Sequence, residues 1–159
     1  MGFGIFGAPP LHFPLSSEGA FHPHPVLADL WNAELSERDV AARVASMFSP
    51  GASLPSVFLQ DVRESDPEFR PAFLATFGSI GFADEVEIVA KLQRPLLVLH
   101  GASDQVVNLD YLLGLRVPSL WRGAVHVLPG AGHALQWEAS DTFDAIVRDF
   151  VREIAAVTR

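Results

Sequence analysis

Hydrophobic and polar positions divide the chain into three stretches of different character. Near the start, Phe3-Gly4-Ile5-Phe6 is a short apolar run closed by Gly7-Ala8-Pro9-Pro10, a stretch that neither strand nor helix crosses. One short strand is predicted there. Residues 11–26 are rich in Pro, His and Ser and read as loop. From Leu27 to Leu92 the apolar residues recur at helical spacing in several short pieces. Ser36 with Asp39 three residues on resembles a capping box. Val40, Val44 and Met47 then share one face until Pro50-Gly51 ends the helix. Asp66-Pro67 is another start signal, and Pro71 predicts two short helices rather than one. Phe69, Phe73 and Phe77 lie four apart and read as a core stripe stopped by Gly78. A further helix is expected from about Asp84 to Leu92, with Val86, Val89 and Ala90 facing inward.

The last third reads differently. Pro95-Leu96-Leu97-Val98-Leu99-His100-Gly101 is an unbroken apolar run of strand length. Because it does not alternate, both faces should be buried, as in a parallel sheet. A short helix is expected around Asn108–Arg116, then a strand at Ala124–Leu128 that exits through Pro129-Gly130-Ala131-Gly132-His133. From about Asp141 a closing helix puts Phe143, Ile146, Val147, Phe150 and Ile154 on one face, with Arg148, Asp149, Arg152 and Glu153 opposite. Strand, helix, strand, helix predicts the α/β class.

Composition sharpens this picture. Of 159 residues, 49% are hydrophobic and 19% charged, against roughly 25% charged in an average domain. That is ample apolar mass for one domain core and excludes disorder. The net charge of −8, spread over both halves, leaves no basic face for nucleic acid. There is no cysteine, hence no disulfide framework and no thiolate metal site. Before Glu18 there is no Lys or Arg, and glycines and prolines puncture the apolar start. Neither a secretory signal nor a membrane span is read there, and a cytoplasmic protein is expected.

In parallel sheets chemistry gathers at the carboxyl ends of the strands. Asp104 stands four residues beyond His100, and His133 five beyond Leu128. Glycines in both loops let the backbone turn sharply. If the strands are neighbours, the loops open side by side and Asp104 meets His133. An aspartate that fixes the tautomer of a histidine base is two-thirds of a Ser-His-Asp triad.

These residues carry a resemblance. Leu96–Gly101, Asp104, then Gly130-Ala131-Gly132-His133, Glu138 and the Phe143–Phe150 helix resemble the end of an α/β-hydrolase, whose chain order is nucleophile, acid, histidine. Phe3–Pro10 resembles the strand and exit that follow the nucleophile-bearing helix. The resemblance implies a partial α/β-hydrolase fold of about three parallel strands. Residues 1–14 and 93–159 would form the core and residues 15–92 a helical cap. It further implies Asp104 as triad acid, His133 as general base, and serine-type hydrolysis of a small, apolar, ester-like substrate. Under the cap, Phe13, Phe21, Trp31, Phe48 and Phe58 would line the pocket.

The nucleophile is the departure. The family sets it in Gly-x-Ser-x-Gly, and no serine here completes that elbow. Ser53 and Ser103 have the preceding glycine only, and Ser17 and Ser79 the following one only. His100-Gly101 is not the family's early oxyanion loop, because no elbow follows it. Two function classes result. In one, a complementary N-terminal half supplies the nucleophile to a hydrolase. In the other, a non-catalytic half-domain self-associates through an exposed strand edge. No cofactor is expected. His22-Pro23-His24 offers two ligands on a Pro-rich loop, too few to close a metal site. Gly2-x-Gly4-x-x-Gly7 lies across a strand rather than after one and fails as a dinucleotide loop. His12 reads as a loop residue near the pocket mouth, and Trp137 as packing.

Overall fold

The computed structural model describes residues 1–23, 34–76 and 82–157. Three parallel strands form one sheet in the order β1 (Phe3–Phe6), β2 (Leu96–Gly101), β3 (His126–Leu128). Phe3 pairs with Leu96 at one boundary, and Gly101 with Leu128 at the other. The third strand is two residues shorter at its start than the sequence predicts. There Trp121–Gly123 forms a single 3₁₀ turn, with Arg122 at φ 55° and its guanidinium over the Trp121 ring.

All six residues of β2 are buried, which explains why its sequence does not alternate. Leu97 and Leu99 pack with Trp121, Leu128, Leu135 and Phe150 on one face. Leu96 and Val98 pack with Val89, Val107 and Leu112 on the other. Each fully buried leucine stabilises the fold by roughly 1.5–3 kcal/mol relative to exposure, so the centre of the sheet anchors both layers.

Helix α1 (Glu37–Met47) begins with the expected box: Asp39 N–H donates to Ser36 Oγ, and Ser36 N–H donates to the Asp39 carboxylate. Helices α2 (Ser56–Glu64) and α3 (Phe69–Thr76) follow. Pro71 does not split a helix. It sits in the first turn of α3, where a residue has no amide bond within the helix to lose. Nor is the aromatic stripe core: Phe69 and Phe73 stack at 5.7 Å and are 61% and 43% exposed, while Phe77 lies outside the described residues. The apolar seam of this region instead joins Val44 and Phe48 to Phe58, Leu59 and Val62.

Helix α4 (Glu85–Lys91), capped by Asp84, buries Val89. Helix α5 (Leu109–Gly114), capped by Asn108, is shorter than expected. A one-turn helix α6 (Leu135–Glu138) precedes α7 (Ser140–Val157). The apolar face of α7 (Phe143, Ile146, Val147, Phe150 and Ile154) lies on the Leu97/Leu99 side of the sheet. No helix among the described residues is long and apolar enough to cross a membrane.

Candidate active site

Because Gly101 and Leu128 are paired, β2 and β3 end level with one another and their exit loops start side by side. Backbone hydrogen bonds tie the loops together. Ala102 N–H donates to Leu128 O at 2.9 Å and Ser103 N–H to Ala131 O at 2.8 Å. The approach is so close that a Cβ on Gly101 would stand 2.1 Å from the Gly132 carbonyl oxygen. Only glycine permits this apposition.

Asp104 turns into the space between the loops and is buried, its side chain 1% exposed. One carboxylate oxygen accepts the backbone N–H groups of Val106 and Val107 at 2.7 and 3.0 Å. The other accepts from His133 Nδ1 at 3.0 Å. A carboxylate only accepts, so Nδ1 carries a proton, and in the neutral form of the ring the lone pair is on Nε2. An added Cβ at Gly7, the exit of β1, would lie 3.6 Å from that Nε2. The basic nitrogen therefore opens at the carboxyl ends of all three strands.

Burial pushes the Asp104 carboxyl up, but the hydrogen bond and charge of His133 and the two backbone amides outweigh it, and the net shift is downward from 3.8. Ionised Asp104 thus stabilises the fold fully above about pH 3.8, and this contribution is lost as pH falls through the lower folded value. At neutral pH Asp104→Asn should cost about 1.5–3 kcal/mol, the scale of hydrogen bonds to a charged group. In urea titrations the gap between wild type and variant should narrow on acidification below about pH 3.8. A gap independent of pH would contradict this account.

His100, the residue of β2 before its exit glycine, also lies beside this pair. It is 3% exposed, with Nδ1 3.9 Å from the Asp104 oxygen that holds His133, beyond hydrogen-bond distance. Desolvation lowers its pKa below 6.5; Asp104 opposes this, and His133 and His22 reinforce it. His100 is thus kept as a neutral imidazole. Its contribution to stability is full above 6.5 and falls as pH drops toward the lowered folded value. The signal in the sequence was its place at the end of an unbroken apolar strand, four residues before an aspartate.

Of the expected pocket residues, Phe48 and Phe58 pack with Ala134, next to His133 in the chain. Phe48 is 1% exposed and meets Phe58 edge-on at 5.0 Å. Phe58 in turn meets Trp137 edge-on at 5.1 Å, and Trp137 is 53% exposed. Phe13 is 38% exposed, and its amide donates to Asp84. Phe21 bridges to Val107 beside the acid loop. Trp31 lies outside the described residues, as does His24. His12 pairs with Asp84 at 3.3 Å. Among the described residues no three His, Asp or Glu side chains are placed to hold a metal ion.

Parallel strands, an acid after β2 and a histidine after β3 hydrogen-bonded to it fit a partial α/β-hydrolase fold, and that is the fold of this chain. It superposes on the N-acyl homoserine lactonase AidH, solved in complex with N-butanoyl homoserine, with TM-score 0.84 and 32% identity over 96% of this chain and 55% of that one. With the carboxylesterase CesB from Bacillus subtilis the TM-score is 0.67 at 16% identity, over 94% of this chain and 51% of that one, a likeness of fold. A 2-hydroxy-6-oxononadienedioate/2-hydroxy-6-oxononatrienedioate hydrolase from Pseudomonas sp. is 34% identical over 90 residues, 52% of this chain and 30% of that protein. The chain thus spans about a third of this curated relative and about half of the solved ones. No protein-family model matches it. Its relatives are hydrolases.

Proposed function

We propose that this chain is the acid- and histidine-bearing part of a serine-type hydrolase of small, apolar esters or lactones. The observation that supports this reading is the 3.0 Å bond from His133 Nδ1 to buried Asp104, with Nε2 turned toward the exit of β1. In the proposed reaction Nε2 takes the proton of a serine hydroxyl as Oγ bonds to the substrate carbonyl carbon. The imidazolium returns that proton to the departing alcohol, and water then releases the acid by the same route.

The serine comes from a complementary segment. Among the described residues β1 is paired on one side only, with β2, and it exposes Phe3 and Phe6 at 46% and 43%. An edge of unpaired N–H and C=O groups beside exposed phenylalanines is a template for another strand. A strand added parallel to β1 would end beside Gly7, and so beside His133 Nε2.

The test is a chimera in which this chain is joined to the part of the AidH lactonase that it does not cover. The chimera should hydrolyse p-nitrophenyl butyrate or an N-acyl homoserine lactone, while the 159-residue chain turns over neither. A chimera that melts cooperatively yet is inactive would sink the proposal. The second reading, a self-associating half-domain, rests on the lack of a serine elbow in the sequence. Alone, the chain should sediment as dimers or larger species. A stable monomer would count against the open-edge argument in either reading.

A further inference from the structure

The carboxylate of Glu138, at the end of α6, reaches back to the loop that presents His133. Gly132 N–H, one peptide before the histidine, donates to Glu138 Oε2 at 2.7 Å. The same carboxylate accepts Ser49 N–H, at 2.9 Å to Oε1 and 3.1 Å to Oε2. Ser49 lies just past the carboxyl end of α1, so one side chain bridges the histidine loop and that helix.

The surroundings make this bridge a tight seat. Ser49 Oγ donates to Gly130 O at 3.1 Å, and Ala134 N–H donates to Met47 O at 2.7 Å. From the acid loop, Gln105 Nε2 donates to Ala45 O and Phe48 O at 3.1 and 2.8 Å. Carbonyls at the carboxyl end of α1, where a helix runs short of internal partners, are thus bonded by both loops that carry the candidate pair. A Cβ on Gly132 would stand 2.6 Å from the Phe48 carbonyl carbon, so the two backbones touch.

We propose that Glu138 is a positioning residue, which holds His133 in register with Asp104 and makes that register depend on the seating of α1. Charge-assisted acceptance of two amides gives it a stronger hold than a neutral side chain would have. When α1 shifts, the Ser49 bonds stretch and the Gly132–His133 peptide loses its anchor, so displacement of that helix loosens the base. The inference builds on the proposed catalytic role of His133. Its test reads the His133–Asp104 bond rather than turnover, so the two stand or fall separately.

The experiment is NMR on the 159-residue chain, following the low-field Nδ1 proton of His133 and the exchange of the backbone amides. In Glu138→Ala the amides of Gly132 and Ser49 should exchange roughly 10–100-fold faster, the scale of a lost bond to a charged group. The His133 Nδ1 signal should broaden away while the amides of Leu97–Leu99 keep their protection. Glu138→Gln, which keeps one acceptor oxygen, should fall between wild type and Ala. A Glu138→Ala protein that keeps its His133 signal at wild-type exchange overturns the proposal, as does one whose Gly132 and Ser49 amides are unchanged. If the alanine variant does not fold, Glu138→Gln decides. Faster exchange at His133 is expected there, and wild-type exchange overturns the proposal.

Discussion

In an active assembly, Asp104→Asn lowers kcat by about 10⁴-fold, the size of effect that a wrong histidine tautomer produces in a triad. The geometry dictates which tautomer results. One oxygen of Asp104 already accepts the amides of Val106 and Val107, and an asparagine keeps those bonds only by placing its carbonyl oxygen there. Its NH₂ group then faces His133 Nδ1, where the carboxylate now accepts. Two donors cannot share that bond, so the imidazole moves its proton to Nε2, the atom that must be empty to take the serine proton. His133→Ala removes the base altogether and should cost at least as much. The measurement is kcat for p-nitrophenyl butyrate hydrolysis by the chimera and its variants. Asp104→Asn within about tenfold of the parent would remove Asp104 from the mechanism; general acid–base help is itself worth about 10²–10⁴.

Much of this site was legible in the chain because its parts are local. A non-alternating strand, a glycine, and a polar residue a few positions later are readable without a partner. The meeting of Asp104 with His133 needed only the step that β2 and β3 are neighbours, which their register bears out. Less legible were features created by contacts between distant segments. Glu138 meets Ser49 across 89 positions, and nothing in the local pattern of either residue marks that bond. The outward turn of Phe69 and Phe73 defeated the reading of their spacing as core. Helical periodicity says which residues share a face, not whether another element covers it. Pro71 misled for a related reason: proline ends a helix only from its interior, and where the first turn lies depends on the preceding chain. His100 was hidden by its strand, since a buried histidine at the end of an apolar run looks like the end of the run.

The second large effect falls on the loops themselves. Gly101→Ala should destabilise the chain at the top of the ~1–3 kcal/mol range of overpacked sites, lowering Tm by roughly 6–12 °C. The added methyl would sit 2.1 Å from Gly132 O and 2.5 Å from Ala131 O. Both are backbone atoms that no rotamer change can clear. The loops must therefore part, and parting breaks the Ser103 to Ala131 bond along with the 3.0 Å reach from His133 to Asp104. Stability and site geometry should fail together, with the His133 Nδ1 proton lost even in the fraction that remains folded. A control separates this from methyl addition as such: Gly114→Ala, where a Cβ meets nothing within 4 Å, should be neutral or slightly stabilising, given the better helix propensity of alanine. A Gly101→Ala variant that melts within about 2 °C of wild type, below the shift of a single kcal/mol at this size, would mean the loops have slack. The rigid apposition of acid and histidine would then lose its physical basis.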